Sequence, residues 1–246
     1  MSEHIIVEKE SFIEKLLNPV SRLADNICLN LESDNVNTIC NSQNGDVVVY
    51  AKMEMQSKIA EPLKLNIPDL KKFVRLLDFV EKDVFEVTIN DNNISYKDDG
   101  SFNFVYYLLE DGYIPKNTLN INKINSLDYQ TSFDLTISKF NDVMKGCAIT
   151  SDSNKLYLFT KEGKVYAELN DRETPNINNI TYQISTEFEG DDITTPIPLK
   201  LDSVRMISGL KTSKIKVSFN SKFKITIFEI KEGDVLIKFI ISALTK

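Results

Sequence analysis

The side chains best placed to do chemistry are the basic residues of one predicted helix. Lys71, Lys72 and Arg75 lie within five positions of one another, and at about 100° per residue they point away from the apolar residues Leu70 and Phe73. Solvated cations at this spacing can contact phosphate groups without reading any base. They form the most basic cluster of a chain whose formal net charge is −7 and whose pI is near 5.0. An amphipathic helix also places lysines in water for solubility alone, so the rest of the chain must decide between the two readings.

Residues with catalytic or metal-binding chemistry are sparse. The only histidine is His4, and the sequence contains no GxGxxG, GxxxxGK[ST], HExxH or GxSxG motif. The neighbouring acids Asp98 and Asp99, and likewise Asp191 and Asp192, fall in polar turns, where solvated carboxylates are expected rather than an acid/base pair. We therefore expect no enzymatic activity, no cofactor and no metal ion.

The three cysteines, Cys28, Cys40 and Cys147, are too few and too unevenly spaced for a disulfide framework, a zinc site or a CxxC pair. Cys28 and Cys40 flank Asp34 symmetrically and could face each other across a hairpin, although two small buried side chains are the favoured interpretation. No apolar run approaches 18 residues, and the N-terminal sequence lacks the basic-then-apolar order of a signal peptide. These features predict a soluble protein of the cytoplasm, that of the host cell if the protein is viral, with no membrane partner.

The basic cluster belongs to the stretch LNIPDLKKFVRLLDF, residues 65–79, which predicts a short amphipathic helix. Pro68 fits the first helical position, and apolar residues follow it at i, i+3, i+4 and i+7. A similar stretch, LKLDSVRMISGL, occupies residues 199–210. A shift of 134 positions places Val204 on Leu70 and Arg205 on Lys71, and both stretches precede a strand-like run. A helix repeated in the same context predicts a duplicated domain.

Four helices and a series of strands are predicted around these stretches. The helices cover residues 9–23, 68–79, 137–147 and 202–214. The strands cover residues 26–31, 36–40, 47–55, 84–90, 94–96, 102–108, 156–160, 164–169, 181–188, 214–220, 223–230 and 235–243. Residues 109–129 lose this periodicity and are interpreted as an extended connector. We expect an α+β fold with one repeat over residues 1–108, an interdomain connector over 109–131 and a second repeat over 132–246, each with helices on one face of antiparallel sheets.

Charge is distributed unevenly between these elements. The four predicted helices have net formal charges of +1, +1, +1 and +2, which leaves −12 for the rest of the chain. Four helices of one sign on an acidic chain favour a single basic surface made of helices, on a body whose other faces repel polyanions. Such a surface suits a protein that holds DNA by its phosphates. No aromatic residue lies among these lysines, so stacking of single-stranded bases is not favoured.

Two repeats of roughly 110 residues, joined by a long connector and carrying basic helices on an acidic chain, resemble the DNA polymerase sliding clamps, most closely the T-even-type bacteriophage clamp. The similar segments are LNIPDLKKFVRLLDFV with the following FEVTINDNNISYKDDGSFNFVYYL, the helix SKFNDVMKGCAIT, and the ending KEGDVLIKFIISAL. The resemblance covers nearly the whole chain. It implies a homotrimeric ring assembled head to tail, with an outer layer of sheets and an inner lining of helices around duplex DNA.

The resemblance also implies a replication role without chemistry. Such a clamp is a processivity factor: it encircles DNA, slides on loose phosphate contacts, holds the DNA polymerase by a short hydrophobic peptide on its outer face, and is opened by an ATP-dependent clamp loader. Residues that match the inner helices of the family, and are expected to face DNA, are Lys15, Arg22, Lys71, Lys72, Arg75, Lys139, Lys145, Arg205 and Lys211. Met206 aligns with Lys72 and Gly209 with Arg75, so the last helix is expected to be less basic.

The partner pocket of such clamps lies between the domains, beneath the connector and beside the last strand. By position alone, the candidate residues are Leu119, Ile121, Ile124, Leu127, Ile241, Ala243 and Leu244. For each of them, a role in packing the core, or a loop position without a binding role, is at least as good an interpretation.

The main alternative is a structural β-rich viral ring or tail component without DNA tethering, which would not need basic helices. A monomeric processivity factor or a clamp-like checkpoint subunit is a closer relative that composition leaves open. Oligomeric mass separates these readings, since a trimer supports the clamp and a monomer or long polymer counts against it.

Overall fold

The chain forms two compact units. The structure is a computed structural model that describes residues 2–56, 58–99, 102–115, 117, 119–150, 153–174 and 178–244. Unit 1 contains Met1–Leu119 together with Lys231–Ile237, and unit 2 contains Asn120–Ile230 together with Lys238–Lys246. Unit 1 is therefore completed by residues from near the end of the chain.

Unit 1 contains two antiparallel sheets, with strand orders β1-β6-β7-β8 and β4-β3-β2-β5. Its first helix, α1, is π-helical over Glu10–Leu17 and continues as an α-helical turn, Asn18–Ser21, and its second, α2, is Leu70–Asp78. The strands are β1 (Glu3–Glu8), β2 (Ile27–Leu31), β3 (Asn35–Asn41), β4 (Val47–Glu54), β5 (Leu63–Ile67), β6 (Val84–Asn90), β7 (Asn93–Lys97) and β8 (Asn103–Tyr107).

Unit 2 also contains two antiparallel sets of strands, in the orders β12-β11-β10-β14 and β13-β9-β15-β16-β17, although Lys231–Ile237, at the end of β16 and the start of β17, is counted with unit 1. Its helices are α3 (Ile121–Asn125), α4 (Ile137–Gly146) and α5 (Leu201–Arg205). The strands are β9 (Thr131–Thr136), β10 (Lys155–Lys161), β11 (Lys164–Leu169), β12 (Ile180–Ser185), β13 (Glu189–Gly190), β14 (Ile197–Lys200), β15 (Lys214–Asn220), β16 (Ile225–Glu232) and β17 (Val235–Ser242).

The two units share one topology. When strands are counted from the start of each unit and the two-residue strand β13 is left out, both units have one sheet of order 1-6-7-8 and another of order 4-3-2-5. Both also have a helix after the first strand and a helix after the fifth, namely α1 and α2 in unit 1 and α4 and α5 in unit 2. The α+β fold class is confirmed, with the difference that each repeat begins with a strand rather than a helix.

The proposed internal alignment agrees with the burial of the matched side chains. Leu70 and its match Val204 are buried, with only 0% and 1% of their surface exposed, whereas Lys71 and its match Arg205 are both exposed. The same apolar positions therefore face the core in both units, and burial of such a side chain contributes about 1.5–3 kcal/mol.

Several elements differ from the sequence prediction. The predicted helix at 202–214 ends at Arg205, because Ser208 Oγ donates to the Arg205 carbonyl at 2.6 Å and Gly209 has a positive φ of 72° that stops helical continuation. The predicted connector contains the short helix α3. Four short strands next to helices, β1, β5, β9 and β14, were not predicted.

The cysteines are all free thiols. Cys28 lies on the half-exposed face of β2, whereas Cys40 lies on the buried face of β3 with Val36 and Thr38. The suggestion that Cys28 and Cys40 face each other across the hairpin is therefore wrong, because the β2–β3 register places them on opposite faces of the sheet. Burial raises the pKa of the Cys40 thiol to about 12.

No helix among the described residues is long and apolar enough to cross a membrane.

Candidate nucleic-acid interface

Helix α2 carries the densest group of predicted site residues. Asp69 is its N-cap, with Oδ1 accepting a hydrogen bond from the Lys72 backbone N–H at 2.9 Å, so Pro68 precedes the helix instead of occupying its first position. Leu70, Phe73, Val74 and Leu77 are buried, while Lys71, Lys72 and Arg75 are exposed. The amphipathic period therefore places all three cations in solvent, as the sequence predicted.

These three cations share one open depression. It has a volume of about 520 Å³ and is lined by Asp25, Pro68, Asp69, Lys71, Lys72 and Arg75. Three cations and two carboxylates leave a net positive charge there, and a DNA phosphate is small enough to enter. The two acids were not anticipated as part of the site.

Asp25 is in direct contact with the cluster. Lys71 Nζ donates to Asp25 Oδ1 at 3.0 Å, and Gln43 Nε2 donates to Asp25 Oδ2 at 2.8 Å. The hydrogen bond from Lys71, followed by its charge, lowers the pKa of the Asp25 carboxyl. No sequence pattern could have found Asp25 and Gln43, because they lie in loops that only the fold brings to α2.

Helix α1 packs against α2 within unit 1 and carries the other two predicted cations of that unit. Lys15 Nζ lies 2.9 Å from Glu10 Oε1, with only 25% of its side chain exposed. The hydrogen bond that Lys15 donates to Glu10 is the largest cause of the raised pKa of Lys15. Arg22 directly follows the helix and is exposed. Lys15 is thus less available to an outside anion than the cations of α2.

In unit 2 the predicted cations are on or after α4 and α5. Lys139 and Lys145 are on the exposed face of α4, opposite the buried Phe140 and Val143. Lys145 pairs with Asp142 at 3.7 Å, one turn away on the same helix.

Arg205 ends α5 and pairs with Asp202 at 3.0 Å. Burial raises the pKa of the thiol of Cys147, the residue after α4, and nearby Arg205 opposes this shift, so the end of α5 lies close to the end of α4. Lys211 is exposed beyond α5. Unit 2 therefore repeats the arrangement of unit 1, with fewer cations on its second helix.

The predicted cations differ in how far they are already neutralised. Lys15, Lys71, Lys145 and Arg205 are each paired with a carboxylate of their own unit. Within the part of the chain that the structure describes, Lys72, Arg75 and Lys139 make no ion pair.

The candidates for a partner pocket have unequal exposure. Leu119, Ile121, Ile124 and Leu127 are half-buried, and so are Ala243 and Leu244. Ile241 is completely buried. Ile241 therefore belongs to the core, while the other six residues keep exposed apolar surface and stay a prediction.

A larger cleft in unit 1 was not anticipated. It has a volume of about 770 Å³, and its wall is rich in carboxamides, with Asn26, Asn30, Asn41, Gln43, Asn66 and Asn117 among its residues. Most of these amides already bond to neighbours, such as Asn66 Nδ2 to Asp111 Oδ1 at 2.9 Å. Among the described residues there is no group of three or more histidine, cysteine, aspartate or glutamate side chains that could hold a metal ion.

Comparison with known proteins shows similarity of fold without close similarity of sequence. No protein-family model matches the chain, and no curated protein matches it. A solved structure of A. fulgidus PCNA with the C-terminal region of FEN-1 bound has a TM-score of 0.80 at 12% identity, covering 100% of this chain and 99% of that one.

Two further solved structures agree with the first. Proliferating Cellular Nuclear Antigen from Entamoeba histolytica has a TM-score of 0.79 at 13% identity, with 98% of both chains covered. The PCNA2–PCNA3 complex from Sulfolobus tokodaii has a TM-score of 0.74 at 14% identity, with 98% of this chain and 99% of that chain covered. The narrower resemblance to bacteriophage clamps is not tested by these structures and stays a prediction.

Proposed function

The chain has the fold of a sliding clamp, and from this premise we propose that it is a DNA sliding clamp. In this role it encircles duplex DNA and tethers the replicative DNA polymerase, so that processivity comes from topological linkage. The basic helices contact phosphates without regard to sequence. The observation that carries the proposal is that both units of an acidic chain repeat one topology and expose cations on, or directly after, the same two helices.

The charge of the helices favours DNA over a purely structural role. A viral ring or tail component has no use for helices with exposed cations on an acidic chain. Lys72, Arg75 and Lys139, unpaired in the described part of the chain, are suited to solvated, exchangeable phosphate contacts.

A closed homotrimer is the proposed assembly. In the described part of the chain, β8 ends one sheet of unit 1 and β12 ends one sheet of unit 2, so each has a neighbouring strand on one side only. Val105 and Tyr107 of β8 are 54% and 66% exposed. Unpaired edges of this kind invite pairing with another chain, and a head-to-tail contact that closes gives a ring.

Protein partners follow from the same role. The A. fulgidus PCNA structure holds the C-terminal region of FEN-1. We propose that this chain likewise binds short segments of a DNA polymerase, and that an ATP-dependent clamp loader opens the ring. The half-buried residues Leu119, Ile121, Ile124, Leu127, Ala243 and Leu244 are the proposed contacts.

Light scattering and a topological assay test the proposal. We expect a mass about three times the 28.1 kDa of one chain. Protein loaded with its clamp loader and ATP onto nicked circular DNA should be retained, and should be lost when the circle is cut. A monomer or an open polymer contradicts the ring, and retention that survives cutting contradicts encirclement.

A further inference from the structure

Asp25 places a negative charge inside the basic depression of unit 1. It lies in the loop between α1 and β2, and its Oδ1 accepts a hydrogen bond from Lys71 Nζ at 3.0 Å. The two side chains are 55% and 57% exposed, so water and ions reach both. The ammonium group that α2 would offer to a phosphate is therefore already engaged by an acid of the same unit.

Three elements hold Asp25 in this position. Its backbone carbonyl accepts a hydrogen bond from Leu70 N at 2.7 Å, at the first residue of α2. Its Oδ2 accepts one from Gln43 Nε2 at 2.8 Å, from the turn between β3 and β4. Because a loop, a turn and a helix converge on it, the carboxylate stays in place while the long Lys71 side chain is free to exchange partners.

The other paired cations differ from Lys71 in this respect. Arg205 pairs with Asp202, and Lys145 with Asp142, each one turn away on its own helix. Both partners of such a pair can rotate apart, and exposed pairs of this kind contribute little. Only at Lys71, among these three, does the acid come from a separate element and also bond to a third.

We propose that Asp25 is a positioning residue of the DNA-binding surface, whose carboxylate competes with DNA phosphates for the Lys71 ammonium group and so keeps that contact weak. The inference rests on the proposed function, because competition requires a phosphate to compete with. Lys72 and Arg75 are then always available to a phosphate in the depression, whereas Lys71 exchanges between Asp25 and a phosphate.

The competition changes the ionic balance of binding. A free lysine that contacts a phosphate releases one condensed counterion from DNA. While Lys71 stays paired with Asp25 it neutralises no phosphate, so the DNA keeps the counterion that this contact would release. This contact adds little to the salt dependence of binding, and little net affinity is lost each time it breaks during sliding.

The substitution Asp25→Asn in the full chain tests the inference, because it removes the charge and keeps an oxygen that can accept from Gln43. Binding to a short fluorescent DNA duplex is measured by anisotropy over a range of salt concentrations. We expect the variant to bind about two- to fivefold more tightly. The slope of log K against log salt should steepen by about 0.9.

Three further variants make the result specific. Glu61→Gln removes one charge from an exposed acid that makes no ion pair in the described part of the chain. Glu61 lies just before β5, at the end of that strand that is opposite to α2. It should bind like the unaltered protein. Adding Lys71→Met to Asp25→Asn should remove the gain. Asp25→Ser serves as a second charge-removing variant, and thermal unfolding followed by circular dichroism verifies the fold of each protein.

The outcomes separate this inference from the proposed function. If the unaltered chain binds duplex and Asp25→Asn changes nothing, or its gain survives Lys71→Met, or Glu61→Gln gives the same gain, the role of Asp25 is wrong and the clamp function stands. Retention on cut circles overturns the clamp function and leaves the role of Asp25 intact. Absence of duplex binding by every variant overturns the role of Asp25, and retention on circular DNA still decides the clamp function.

Discussion

The three cations on α2 differ in whether they are already paired with a carboxylate. Lys72 and Arg75 are exposed and make no ion pair in the described part of the chain, whereas Lys71 is held by Asp25. A DNA phosphate that approaches α2 therefore meets two groups that need not leave another partner first.

Replacing Lys72 and Arg75 together by alanine should weaken duplex binding and make its salt dependence shallower by roughly one unit of slope for each lost cation. Anisotropy titrations against salt measure both effects. Lys161→Ala with Lys164→Ala is the matched control, because both lysines are exposed on the β10–β11 hairpin of unit 2. Equal losses from the two pairs would show that net charge, rather than the helical surface, governs binding.

The cysteine thiols allow a separate check on burial. The pKa of Cys40 is raised to about 12, so at pH 8 only about one molecule in ten thousand carries the reactive thiolate there. We expect a thiol reagent to modify the half-exposed Cys28 first, with Cys40 protected until the protein unfolds. Mass spectrometry of the labelled protein measures the order. Loss of the fast phase in Cys28→Ser is the control, and early labelling of Cys40 would contradict its placement.

Sequence periodicity was informative for the exposed cations and uninformative for their partners. The helical period places Lys71 and Lys72 in solvent whatever the tertiary structure, because the opposite face must be buried. Asp25 and Gln43 reach the same site from a loop and a turn with no periodic signal. Ion pairing within the site could therefore be learned only from the folded chain.

Among the elements, α2 depends on its N-cap. The Asp69 side chain accepts from Lys72 N–H, and Tyr106 Oη donates to the Asp69 carbonyl at 2.8 Å. We expect Asp69→Ala to lower the free energy of unfolding by about 1 kcal/mol, because one N–H at the start of the helix loses its partner. Urea unfolding measures the change. Asp69→Asn keeps an accepting oxygen and should be close to neutral, so an equal loss from both variants would contradict the capping role.

The secondary-structure elements also show which bounds the sequence pattern could predict and which it could not. Long alternating strands such as β6, β11 and β15 were predicted with correct bounds. By contrast, β5 was absorbed into the helical stretch that follows it, since five residues with mixed burial give no clear period of two. The helix α5 was predicted too long, because its apolar spacing continues past Arg205 into a turn.

At the scale of the whole molecule, the fold is kept although the identities to the solved clamps are only 12–14%. The strand orders 1-6-7-8 and 4-3-2-5 recur in both units. The topology requires buried apolar positions and leaves the identity of most side chains free. The helical cations are the exception, since the proposed function constrains their charge.

Unit 1 includes Lys231–Ile237, where Asp234 accepts hydrogen bonds from Ser11 Oγ at 3.0 Å and from Glu54 N at 3.1 Å. Residues 231–237 are synthesised more than a hundred positions after the rest of unit 1. Unit 1 therefore cannot complete its fold while the intervening residues are being synthesised. Maturation of the first half is thus coupled to the synthesis of residues 231–237, and a product truncated before them would lack these stabilising contacts.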